Sequence, residues 1–282
     1  MSLASLLFGR NGRPLLEHFD FLTHEPEEAF RESGTTYLDG EQLHDFRSDA
    51  FVFHRRQCGH LPQREAHDAD FQRAAAVRIL HGRDALEDAF ALDVPIDSRT
   101  GEPCGKYSFE FEKWAREQGK PALGTDEVEA IDNMARSLAA HGPASGLLAS
   151  GVAQGIVRSD YLGVACQERF DWLSPHHGIV VLYVADGLGY LDSTLRYSGT
   201  AHRLAFGRAL LAAATGKTVP VHVIAVEKSA PHRCGVWHAS RLLLRGVQRE
   251  NEKALRRLKQ CRDRDHWPTG YERVRVLKPL GF

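Results

Sequence analysis

The acids with the widest chemical reach in this chain sit on runs that read as strands. Asp171 lies within Glu168-Arg169-Phe170-Asp171-Trp172-Leu173, and the apolar run Gly178-Ile179-Val180-Val181-Leu182-Tyr183-Val184 follows closely. Glu227 and Lys228 close a further strand-like run over 219–227. Carboxylates converging from neighbouring strands would hold a hard divalent cation, since Mg²⁺ takes oxygen ligands at about 2.1 Å. Such a cation activates water and neutralises the charge that develops as a phosphodiester is hydrolysed. One Asp on one strand and Asp-x-Lys on its neighbour achieve this, because side chains two apart share a sheet face.

Several elements must position these residues. Asp39 is a candidate N-cap, with Gln42 at the capping-box position, for a helix over 40–56. The Ala-rich spacing of 71–90 predicts another helix, and Pro95 to Pro103 reads as an irregular loop. A short helix is expected over 109–118. Thr125 caps an amphipathic helix lined by Val128, Ile131, Met134 and Leu138, ended by Gly142-Pro143. Strand-like runs follow over 161–166, 168–173 and 179–184, with turns at Gly163 and 174–178. A helix over 201–215 precedes strands at 219–227 and 234–238. A basic helix over 242–262 has Leu243, Val247, Ala254, Leu258 and Cys261 as its apolar positions. This order predicts an α/β domain, a mixed sheet flanked by helices with an N-terminal helical part. Residues 1–35 read as an extension and 36–282 as the domain.

The 282 residues, 43% hydrophobic, can bury one sizeable core or two modest ones. No run of about 18 apolar residues is present to span a membrane. Residues 1–10 have too short an apolar core for a secretion signal. Five widely spaced cysteines suit reduced thiols in a cytoplasm rather than a disulfide frame or a metal site. Net charge is −1, against a generally basic nucleic-acid binder. Yet residues 241–282 carry 12 Lys/Arg against five acids, a local +7, leaving −8 for the remainder. That basic helix either grips phosphates, through Arg249, Lys253, Arg256 and Arg257, or is a solvated face over an apolar stripe.

In order and spacing, several motifs together resemble the exonuclease VIII (RecE-type) branch of the PD-(D/E)XK nuclease superfamily, common in phages and prophages. Residues 37–46 resemble its opening helix and 95–101 its loop. Trp114 to Pro121 resembles its Trp-x-x-x-x-Gly-Lys-Pro stretch. Phe170-Asp171-Trp172-Leu173 is similar to its Pro-Asp-Trp-Leu strand, with Phe in place of Pro. Ala225-Val226-Glu227-Lys228 and Trp267-Pro268-Thr269-Gly270-Tyr271 match later landmarks. The resemblance implies a PD-(D/E)XK, restriction-endonuclease-like core. It also implies DNA as a ligand, a ring-like homo-oligomer and a single-strand annealing partner.

The same resemblance exposes a departure. The family's strand Asp and Lys fall on Leu182 and Val184, its helix His on Ala76, and its later Gln and Tyr on Leu204 and Gly207. Of the expected polar set only Asp171 remains, either as a vestigial metal contact or as a turn and hydrogen-bond residue. Asp186 lies four residues beyond Leu182, about 13 Å along a strand. Glu168, three residues from Asp171, is expected on the opposite face. Glu227 and Lys228 are either a strand-end charge pair or parts of a migrated site. Three functions stay open. One is a catalytically degenerate protein without cofactor, binding DNA or a protein partner in recombination, phage DNA handling or interference with host defence. Another is an active Mg²⁺- or Mn²⁺-dependent DNA exonuclease using Asp171, Glu227 and Lys228. The third is a scaffold or inhibitor with no affinity for nucleic acid.

Overall fold

The structure, a computed structural model, describes residues 14–62, 68–274 and 276. Residues 1–10, read against a secretion signal, and Arg275 and Lys278 of the basic tail lie outside these. After the short α1 (Glu27–Glu32), the helix expected over 40–56 divides into α2 (Gly40–Ser48) and α3 (Ala50–Gln57). Asp39 caps α2 as expected, accepting from the Gln42 N–H at 2.8 Å while its own N–H donates to Gln42 Oε1. The break falls at Asp49, which is extended and accepts from the Val52 N–H at 2.8 Å. An Asp side chain that can bond the backbone favours a cap over a helix interior. Gly82, at φ 93°, likewise divides the helix expected over 71–90 into α4 (Ala69–His81) and α5 (Arg83–Ala89). Only a residue without Cβ adopts that turn cheaply.

α6 (Phe109–Glu117) and α7 (Thr125–Ala140) match the expected spans closely. Thr125 is the first helical residue, not the cap; Gly124 precedes it, its N–H donating to Glu127 at 3.0 Å. Gly142-Pro143 begins a further helix, α8 (Gly142–Leu148), because the fixed φ of proline suits a first turn.

The strand expected over 161–166 straddles a reversal. Leu162 and Gly163 both have positive φ, so β2 (Ile156–Tyr161) turns directly into β3 (Val164–Arg169). Together with β1 (Val152–Ala153) and β4 (Trp172–Ser174) they make one long hairpin with a bend in the middle. At the bend Gln154 takes φ 52° and donates its N–H to Asp171 O, while the Phe170 N–H donates to Gly155 O. Past it the hairpin enters a five-stranded sheet of order β1-β4-β5-β6-β7, with β5 (Gly178–Ala185), β6 (Val221–Glu227) and β7 (Cys234–His238). β5 and β6 are parallel and the other neighbours antiparallel, so the sheet is mixed as expected. Between β5 and β6 run α9 (Leu191–Tyr197) and α10 (Thr200–Thr215), and α11 (Arg241–Arg264) closes the described fold.

Alternation along β5 builds three layers. Ile179, Val181, Tyr183 and Ala185 pack with Phe46, Phe206, Leu210 and Leu255 of α2, α10 and α11. Leu182 joins Leu138, Leu147 and Ile224, and Val184 joins Phe71, Leu86 and Met134, under α4, α5, α7 and α8. The described part of the expected extension belongs to the same core, with Leu16 buried and Thr23 bridged to Ile156. The inward face of α11 is Leu244, Asn251, Ala254, Leu255, Leu258 and Cys261. Leu243 and Val247 are only half-buried, so the face is rotated slightly from the expected one. All five cysteines are free thiols, three of them buried. No described helix is long and apolar enough to cross a membrane.

Candidate functional site

The hairpin bend decides where Asp171 points. β4 and β5 pair up to Trp172↔Val180, and there the backbone ladder stops. One step further the Asp171 carboxylate accepts from the Leu182 N–H at 2.9 Å, extending the ladder with a side chain. The crevice beside it is walled by Glu168, Phe170, Val181, Arg203, Leu204 and Gly207, and its free space is about 20 Å³. That holds about one water.

Glu168 is not on the opposite face from Asp171. The bend between β3 and β4 interrupts the two-residue alternation and brings both carboxylates to one crevice. Glu168 accepts from Arg203 Nε and from the Gly40 N–H, each at 3.1 Å. Burial pushes its carboxyl up to about 7, against the pull of Arg203. Burial likewise raises Asp39, at the start of α2, to about 6, and moves Asp171 upward. Arg203 therefore serves a cluster of acids that burial disfavours as anions. Sequence reasoning missed it, because an Arg on an Ala-rich helix carries no spacing signal. Only its place one residue before Leu204 hinted at it.

The positions expected to hold polar residues divide between the layers. Leu182 and Val184 face α4, α7 and α8, and Ala76 sits half-buried on α4 on that same side. Leu204 and Gly207 line the crevice on the other side. A Cβ on Gly207 would lie 3.1 Å from the Phe170 ring and 3.2 Å from Glu168 Cγ, so no tyrosine fits without repacking.

Glu227 and Lys228 do not join Asp171. Glu227 is level with Ala185, whereas the Asp171 carboxylate meets Leu182. Three strand residues, about 10 Å, separate the two levels. Glu227 is clasped by Arg233 through Nε at 2.7 Å and Nη2 at 2.5 Å, and by the Leu188 N–H at 3.1 Å. Those bonds, Arg233 first, hold its carboxyl down at about 2. Lys228 pairs with Asp68 and lies over the Phe71 ring, so it is not paired with Glu227 either. Among the described residues, no three His, Cys, Asp or Glu side chains gather as a metal site.

The cations expected to meet nucleic acid separate on inspection. Arg249 and Lys253 are exposed and form no ion pair with a described residue. Arg256 is exposed beside Glu252 at 3.6 Å. Arg257 is exposed as well but is held by the protein, donating to Phe46 O at 3.0 Å with its guanidinium over the Phe46 ring. Arg241 and Arg245 extend the exposed series at four-residue steps, about 6 Å each along the axis.

No protein-family model matches this sequence, and no curated protein matches it. Among solved structures, the chain is similar to a crystal structure of a "putative exonuclease" from Eubacterium rectale. The identity is 14% and the TM-score 0.58, over 92% of this chain and 97% of that one. At that identity the likeness concerns the fold alone, a mixed α/β arrangement.

Proposed function

We propose that this chain is a catalytically degenerate exonuclease VIII-like protein, with a PD-(D/E)XK core retained for binding rather than cleavage. One observation carries the reading: the candidate acids already have partners within the protein. Asp171 serves the Leu182 N–H, Glu168 serves Arg203 and the Gly40 N–H, and Glu227 is clasped by Arg233. A divalent cation would have to compete with these donors for the carboxylate oxygens, and any bond it displaced would cost about 1–3 kcal/mol for the buried group left unsatisfied. Leu182 and Val184 supply neither a ligand nor an ammonium. Each 1.36 kcal/mol of lost transition-state stabilisation is tenfold in rate, so cleavage falls to background.

The binding surface in this reading is the outward side of α11, with Arg249, Lys253 and Arg256 meeting the phosphates of linear DNA. Incubation with linear duplex and Mg²⁺ or Mn²⁺ is expected to release no nucleotides above background. Robust release that Asp171→Ala abolishes ends the reading. A gel shift with the same duplex is expected to weaken steeply with salt, and further when the three cations become Gln. A shift absent at low salt removes DNA as the ligand and leaves a protein partner for the fold.

A further inference from the structure

Arg169 is a half-buried cation with no ion-pair partner, and it opens onto a second cleft. This cleft, of about 300 Å³, lies between the N-terminal segment and the hairpin bend, walled by His24, Pro26, His81, Ala153, Gln154 and Arg169. Arg169 Nη2 donates to Gln154 Oε1 at 2.8 Å, while its Nε is buried and has no acceptor. Among the described residues, no carboxylate comes within the 4.0 Å of an ion pair with it. Glu25, the one acid on the wall, is taken: both its oxygens accept from Arg158, at 2.7 and 2.8 Å. Asp171 feels the charge of Arg169, but burial pushes its carboxyl toward the neutral form.

Gln154 adds an independent sign. Its φ of 52° is uncommon for a residue with a side chain. Its N–H bond to Asp171 O holds it in that conformation, with its side-chain oxygen on Arg169, which orients the guanidinium fork. The wall thus gathers a guanidinium without an ion-pair partner, two imidazoles and no unpaired acid. Its size is at the low end of small-molecule sites, too small for an oligomer.

We propose that this cleft binds a small phosphate-type anion, inorganic phosphate or a phosphomonoester, with Arg169 as the fork and His24 and His81 flanking it. A planar guanidinium matches phosphate oxygens two at a time, and the ligand meets the Nη edge of Arg169 that faces the cleft. The site is separate from the α11 surface and does not depend on the functional reading above.

Calorimetric titration with inorganic phosphate, adenosine monophosphate and adenosine tests it. Saturable binding of phosphate or the monophosphate is expected, with none for adenosine. The monophosphate binding tighter identifies a phosphomonoester ligand, and phosphate binding tighter identifies the free ion. Arg169→Ala is expected to abolish binding. His24→Ala with His81→Ala, both on exposed side chains, leaves the fold intact and is expected to weaken binding about tenfold or more. Failure of both phosphate and the monophosphate to bind the unmutated chain at millimolar concentration overturns the proposal. So does a double variant that binds as the unmutated chain does.

Discussion

Glu168 and Glu227 carry opposite pH signatures, and their signs follow from their neighbours. Glu168 has a folded pKa of about 7, above its ordinary 4.5, so the folded state holds the proton more tightly than the unfolded one. Its contribution is complete below about pH 4.5 and declines as pH rises toward 7. The full shift corresponds to about 3 kcal/mol at most. Glu168→Gln should therefore flatten the stability profile between those pH values, as read from urea midpoints; an unchanged slope would contradict the assignment. Glu227 is held at about 2, so its contribution is present above its ordinary pKa and lost as pH falls from 4.5 toward 2. Arg233→Ala should remove that acid-side loss. His222 adds to the acid side: burial, with the facing His238 and His177, holds it at about 4, and stability falls as pH drops from 6.5 toward 4. Restoring chemistry by single residues should also fail. Leu182→Asp places an acid among Leu138, Leu147 and Ile224, and is expected to cost about 2–4 kcal/mol without yielding cleavage. Nucleotide release by that variant together with Val184→Lys would show that only ligands were missing.

Caps and turns explain where the elements were legible and where they were not. Asp39 with Gln42 announces α2, and Cys234 to His238 reads directly as β7. The break at Asp49 was hidden, because a helix-compatible apolar spacing continues through it. Asp49→Ala is expected to cost about 1 kcal/mol by removing the cap on α3, measured as a lower Tm. The hairpin bend was hidden for a different reason. The alternation of 168–173 reads as one strand, and only Gln154, far earlier in the chain, interrupts it. That single bend moves Glu168 to the side of Asp171 and gives Arg203 its partners. On α11, Asn251 is buried in place of an apolar residue and exchanges bonds with His202, accepting from Nδ1 at 2.9 Å and donating to its carbonyl at 2.8 Å. Asn251→Ala leaves both groups unmet and should cost about 1–3 kcal/mol, whereas Arg249→Gln should shift stability by no more than about 0.5 kcal/mol.

At the largest scale the described fold is a five-stranded mixed sheet between two helical layers with a two-stranded sheet beside it, and helix–strand order made the mixed α/β arrangement readable. The site was less readable, because it depends on which side of the sheet each position faces. Sequence spacing left Glu227 and Lys228 as either a strand-end charge pair or neighbours of Asp171, while the register sets Glu227 apart from Asp171 and gives each of the three a different partner. The N-terminal segment illustrates the same limit. Glu25, bonded to Arg158, and His24 belong to a cleft closed by Ala153 and Gln154, far along the chain.

Calorimetric titration of the unmutated chain with Mn²⁺ tests the central claim most directly. Carboxylates already engaged by Leu182, Arg203 and Arg233 are expected to give no saturable binding, and Asp171→Ala is expected to leave the trace unchanged. One equivalent of Mn²⁺ bound by the unmutated chain and lost in Asp171→Ala would contradict the account.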